Sequence, residues 1–160
     1  MLLKSINWKK DKRNIMYLET SVFPEYMQED EEELEEIFED KDSIGLLLEE
    51  NKKPIGYAIA LPLENCEVYD IESDPQFENY NTLYLESIAV LPEYQGKGCG
   101  SKLFNGLSKI AKEKGYKRIT LHARKENGFS KIIQGKNGRV LETYEEWLGD
   151  EEFDYLELKL

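Results

Sequence analysis

"LYLESIAVLPEYQGKGCGSKLF", residues 83–104, begins as an apolar strand and ends inside an amphipathic helix, with Gly96, Gly98 and Gly100 at alternate positions between the two. A glycine inside a regular element costs roughly 0.5–1 kcal/mol relative to alanine, so this spacing requires a reason. Backbone N–H groups that follow a strand and lead into a helix converge, and with the helix dipole they form an anion site suited to phosphate. Glycine serves there because a Cβ would hold the phosphate oxygens away. A purely structural turn is the alternative. Spacing excludes two other phosphate loops. No Gly-Lys pair precedes Ser or Thr, as a Walker A loop needs, and Ser101 stands where a dinucleotide fingerprint places its third glycine.

Beyond the glycines, Leu103, Phe104, Leu107, Ile110 and Ala111 define the apolar face of the helix, and Gly115 is its C′ residue. "RITLHA" has the β-branched content of a strand, "GFSKIIQ" suits a short helix ended by Gly135 and Gly138, and "RVLETYEEW" and "FDYLELKL" read as two final strands. On the amino-terminal side, "SIGLLLEE-NKKP-IGYAIALPL" is a hairpin. A first strand in "LLKSINW" and a short helix in "RNIMYLET" precede it, then Pro24, then a helix over "EYMQEDEEELEEIFED" with Met27, Leu34, Ile37 and Phe38 at helical spacing. Acidic residues fill seven of the eight positions from Glu29 to Glu36. Such a run is a solvated face or a negative lip beside a substrate site. From Glu64 to Thr82 an acidic connection shows no sustained period, the kind of loop that is functional or mobile. This order implies one α/β (α+β) domain over residues 1–160.

A formal charge of −12 argues against a nucleic-acid binder and against adsorption to anionic membranes. It suits a cationic substrate, or serves solubility alone. Cys66 and Cys99 are the only cysteines, neither in a ligand spacing, and His122 is the single histidine, so no metal site is expected. The amino-terminal apolar run is too short for a signal peptide, and no stretch approaches a spanning helix. A reduced cytoplasmic protein is the expectation.

"IAVLPEYQGKGCG" resembles the acetyl-CoA signature of the GNAT superfamily of N-acetyltransferases: a strand ending in an I-A-V-like triplet, a proline or acidic turn, then [QR]-x-x-G-x-[GA], with Gln95, Gly98 and Gly100 at the defining positions. The order of elements along the whole chain is also similar to that family. The resemblance implies a mixed, mostly antiparallel, twisted sheet of about six to seven strands flanked by helices, with acetyl-CoA and a primary amine as substrates. It implies that Ile88, Ala89 and Val90 offer backbone hydrogen bonds to the pantetheine arm, and that the amides of Gly96, Lys97, Gly98, Cys99, Gly100 and Ser101 hold the pyrophosphate. Lys97 can add a point charge. Cys99 fills the variable position between two glycines and is no nucleophile. A second family region, N-x-x-A-x-x-x-Y-x-x-x-G-F, is matched at Asn127, the residue that bonds the pantetheine arm. It departs at Ser130 for alanine, at Gln134 for tyrosine and at Gly138-Arg139 for Gly-Phe. That tyrosine commonly reprotonates the leaving thiol. A thiol pKa near 8.5 lets a thiolate leave without it.

An alkylammonium with pKa near 10.4 must lose a proton before it attacks. Glu86 in "YLES" is similarly placed to the base of the family's polyamine acetyltransferases, and burial would raise its pKa toward a useful range. His122 is the runner-up, aligned where ribosomal-protein N-terminal acetyltransferases carry a glutamate base. Tyr144 is a candidate for the missing acid. The backbone N–H of Val90 would polarise the thioester carbonyl. The acceptor is expected to be a cationic small molecule. A protein lysine or N-terminus, and a non-catalytic CoA-binding module, are the other readings. The terminal strands are a candidate surface for pairing two copies into a homodimer.

Overall fold

The computed structural model describes residues 1–126 and 128–160. Four α-helices flank a seven-stranded sheet of order β1-β2-β3-β4-β5-β7-β6. The strands are β1 (Leu2–Ser5), β2 (Ile44–Glu50), β3 (Lys53–Pro62), β4 (Thr82–Val90), β5 (Arg118–Arg124), β6 (Arg139–Leu148) and β7 (Glu151–Lys159). The helices are α1 (Trp8–Val22), α2 (Glu31–Glu39), α3 (Cys99–Glu113) and α4 (Phe129–Gly135). β4 and β5 pair parallel, while the pairs β1–β2, β2–β3, β5–β7 and β6–β7 are antiparallel. The mixed, mostly antiparallel sheet expected from the sequence is present. The last strand, β7, is paired on both sides, which leaves β1 and β6 as the edges. The expectation that the carboxy-terminal strand pairs with a second copy therefore fails for β7, whose ladder groups are used within the chain.

The chain forms two compact units. The first comprises Met1–Leu61 and Glu86–Ile110. Its core joins Ile15 and Leu18 of α1, Leu34 of α2, Leu47 of β2, Tyr57 and Ile59 of β3, and Ala89 and Leu91 at the end of β4. Helix α1 is almost twice as long as "RNIMYLET" and begins at Trp8. Asn7 is the reason: its side chain accepts from the Lys10 amide, and its own N–H donates to Asp11 across 2.7 Å. The acidic helix is correspondingly shorter than its pattern. Asp30 and Glu33 form a reciprocal capping box that starts α2 at Glu31 and leaves Met27 in a separate 3-10 turn, Glu25–Met27. The hairpin turn places Asn51 and Lys52 at φ of 51° and 66°, the doubly left-handed backbone that matches strand twist.

The second unit comprises Pro62–Leu85 and Ala111–Leu160. Here the long acidic connection is not loose. It is built of three 3-10 turns, Leu63–Asn65, Ile71–Ser73 and Phe77–Asn79. Leu63 and Ile71 bury against Tyr84 and Tyr155. Arg118, 2% exposed, ties the connection down. Its guanidinium lies 2.6 Å from Asp74, donates to Glu157 at 3.0 Å and to the Thr82 hydroxyl at 2.9 Å. Among the described residues, no helix is long and apolar enough to cross a membrane, and no cluster of His, Cys, Asp and Glu is arranged to hold a metal ion.

Candidate active site

In the amino-terminal unit the glycine turn leaves β4 and enters α3. Gly96 and Gly98 have φ of +75° and +83°, conformations in which a side chain is strained. Gly100 is different: its backbone is helical, and an added Cβ would meet no described atom within 4 Å. Nothing in the protein's own packing asks for glycine there, whereas a ligand lying against the turn would. The Lys102 amide donates to the Gly98 carbonyl at 3.0 Å, so α3 opens on a residue with no side chain to cap it. The amides of Cys99, Gly100 and Ser101 begin the helix without intrahelical acceptors, and no acidic residue lies in that first turn. Gln95 clasps the turn to the strand, its Nε2 donating to the Val90 carbonyl at 2.9 Å. Lys97 rests with Nζ 5.6 Å from the Tyr94 ring centre. Cys99 is buried, its thiol packed toward the Met1 sulfur.

Ala89 and Val90 are buried and Ile88 half-buried. The approach of β3 to this strand end depends on Gly56, where a Cβ would stand 2.7 Å from the Ala89 carbonyl oxygen. Sequence reading passed over Gly56, and a lone glycine inside an apolar strand was the available signal.

Glu86 lies in the same unit, half-buried. Its carboxyl and that of Glu29 influence each other's proton affinity. Glu29 in turn donates its backbone N–H to Glu19 Oε1 at 3.1 Å. Glu19 is 1% exposed and accepts the Tyr57 hydroxyl, which lies 3.2 Å from Ser87 Oγ. Burial raises Glu86 above the ordinary carboxylate range. Burial and the Glu86 charge push Glu29 up to about 9. Glu29 thus turns inward from an acidic run whose other members are mostly exposed. Glu19, Glu29 and Tyr57 carried no motif in the sequence, because their proximity comes from three different elements.

In the carboxy-terminal unit His122 is walled by aromatic rings. It stacks on Trp147 at 4.0 Å and 10°, with Tyr155 at 4.6 Å and Tyr144 at 5.6 Å between centroids. Tyr84 Oη is 2.8 Å from His122 Nδ1. Burial lowers the His122 pKa to about 3, against a smaller opposing pull from Asp70. The Tyr144 hydroxyl donates to Asp70 at 2.9 Å and Glu142 at 3.0 Å, and burial with these carboxylates raises its pKa. The departures in the second motif have a local account. Ser130 donates to Asp154 at 2.7 Å, Thr143 donates to the other Asp154 oxygen at 2.7 Å, and Gln134 donates to Ser130 at 3.1 Å. Alanine at 130 would take the Ser130 donor from the buried Asp154, and tyrosine at 134 would take the amide that donates to Ser130. Asn127 lies outside the described residues.

The model of the Acetyltransferase (GNAT) family matches residues 12–131. Among solved structures, the ribosomal-protein-S18-alanine N-acetyltransferase of Escherichia coli superposes with a TM-score of 0.77 at 17% identity, over 99% of this chain and 92% of that one. Arabidopsis thaliana NAA60, solved in complex with acetyl-CoA, gives 0.76 at 13% identity, over 99% and 98%. An aminoglycoside 6'-N-acetyltransferase complexed with coenzyme A gives 0.75 at 16% identity, over 99% and 97%. At such identities the likeness establishes the fold.

Proposed function

The chain belongs to the GNAT acetyltransferase family, and from that premise we propose that it transfers the acetyl group of acetyl-CoA to a primary amine by direct attack in a ternary complex. The glycine turn carries the reading. Gly100 has no packing reason to lack a side chain, and it sits where uncapped helix amides would meet a diphosphate. The turn's amides from Gly96 to Ser101 hold the pyrophosphate, and Gln95 fixes the turn. The backbone of Ile88–Val90 receives the pantetheine arm. Asn127 bonds the same arm, as the family pattern implies.

Glu86 takes the ammonium proton. A carboxylate whose pKa burial has raised is the better acceptor, whereas a histidine held at about 3 stays neutral and weakly basic. His122 then serves as a polar face of an aromatic wall. Tyr144 is a poor acid with its pKa raised, so coenzyme A leaves as the thiolate. The Val90 N–H faces the charge that develops on the thioester oxygen, a contribution often worth about 3 kcal/mol. The acidity of the chain favours a cationic small acceptor, and a cytoplasmic location would supply both substrates.

The test is release of free coenzyme A from acetyl-CoA against polyamine, aminoglycoside and peptide amines, with calorimetry of acetyl-CoA binding alongside. Turnover on a polyamine or aminoglycoside supports the full reading. Turnover confined to peptides keeps the enzyme and removes the small-molecule acceptor. Tight binding with no turnover on any amine removes the enzyme. Glu86→Gln is expected to lower kcat at least a hundredfold, and an unchanged rate would remove Glu86 as base.

A further inference from the structure

Where β6 begins and β7 ends, three cations surround one carboxylate. Arg139 of β6 stands opposite Glu157 of β7, and on the other side of β7 Lys159 stands opposite Arg118 of β5. Residues directly opposite, or two apart along a strand, share a face of the sheet. Arg118, Arg139 and Lys159 therefore crowd the face that carries Glu157. Glu157 is 2% exposed and both its oxygens are engaged: Oε2 accepts from Arg118 at 3.0 Å and Oε1 from Arg139 at 2.7 Å. Asp74 is held by Arg118 as well. Among the described residues Lys159 forms no ion pair, in a chain where 33 Asp and Glu outnumber 21 Lys and Arg. Like charges opposite one another across a ladder destabilise it, and an anion beside Lys159 would relieve the repulsion from Arg118.

Space for that anion is present. Asn137, Arg139, Glu157 and Lys159 line a cleft of about 320 Å³, at the small end of the range for ligand sites. Arg139 commits Nη2 to Glu157 and leaves 69% of its side chain exposed, so its remaining N–H groups are available to a guest while Glu157 fixes the guanidinium. Asn137 adds a carboxamide donor. The lining side chains carry two positive charges against one negative, an excess of one.

We propose that this cleft is a binding site for a small organic monocarboxylate, its carboxylate held between the Arg139 guanidinium and the Lys159 ammonium. The planar guanidinium fork matches a carboxylate, and a single excess charge balances a monoanion better than a phosphate dianion. All four lining residues belong to the second unit, so the site stands or falls independently of acetyl transfer.

The test is NMR of the ¹⁵N-labelled full chain titrated with acetate, pyruvate, benzoate and inorganic phosphate, with ionic strength held constant by sodium chloride. At least one of the three carboxylates is expected to shift the amides at 137–139 and 157–159 and the Arg139 side-chain N–H, saturably and with a dissociation constant of about 1 mM or lower. Lys159→Gln should weaken that binding at least about fivefold, and Lys159→Arg should retain it. Arg139→Gln should weaken it as much. Should Arg139→Gln not fold, because it takes a donor from the buried Glu157, the two Lys159 variants decide the matter. Shifts that stay linear for all three carboxylates, equal affinity in Lys159→Gln, or shifts confined to residues 96–101 overturn the site. Phosphate binding as tightly as the best carboxylate overturns the ligand class.

Discussion

Gly98 and Gly100 lack side chains for different reasons, and substitution should separate them. At Gly98 the backbone itself, with φ of +83°, disfavours any L side chain, so Gly98→Val should lower stability as well as acetyl-CoA affinity. At Gly100 a Cβ has open space and an ordinary helical backbone. Gly100→Val is expected to leave the urea midpoint nearly unchanged while weakening acetyl-CoA by at least tenfold in calorimetry. Equal affinity would show that the turn does not grip the diphosphate. Glu29 makes a second residue-scale prediction. Between the ordinary carboxylate pKa and about 9, the folded protein holds a proton that the unfolded chain has lost. Stability therefore falls as pH rises through that interval. Glu29→Gln should melt higher than the wild type at pH 8, with the gap closing toward pH 4. A gap that widens toward acid would contradict the burial.

Among the elements, the acidic connection between β3 and β4 depends most on one bond network. Arg118 and Asp74 are both buried, and Asp74 also accepts the Tyr155 hydroxyl at 2.5 Å. Asp74→Ala takes one of the two carboxylates from the guanidinium, leaving Glu157 and the Thr82 hydroxyl, and should cost about 3–5 kcal/mol, measured by urea denaturation. A loss below about 1 kcal/mol would mean that the turns are not held through Arg118. The β6–β7 hairpin and β5 make a pH prediction of opposite sign to that of Glu29. His122, held at about 3, stays neutral while the unfolded histidine protonates near 6.5. Stability carried by the neutral ring is complete above the unfolded value and is lost as pH falls toward 3. His122→Gln should flatten the decline in melting temperature between pH 6.5 and 4, and an unaltered slope would place the imidazole in water.

At the scale of the whole molecule, a net charge of −12 would attract a cationic acceptor at long range. The expected consequence is a fall in kcat/KM for a polyamine as salt rises from 20 to about 300 mM, with less change for a neutral primary amine. Equal salt dependence for the two would assign the charge to solubility. Much of the molecule is legible in the sequence. The element order, the hairpin and the glycine turn follow from local constraints: apolar periodicity, turn chemistry, and the few residues that tolerate positive φ. Caps were the local signal overlooked, and Asn7 and Asp30 moved the helix boundaries. What only the tertiary structure decided is the surroundings of the buried ionisable groups, Glu29 and His122 among them. Glu29 sits in a run of solvated acids, yet the capping box at Asp30 and its backbone bond to Glu19 turn it toward Glu86. His122 looks like a base in the sequence, and Trp147 and three tyrosines keep it neutral. Proton affinity depends on neighbours and burial, both set by contacts between residues far apart in the chain, and no local pattern encodes them.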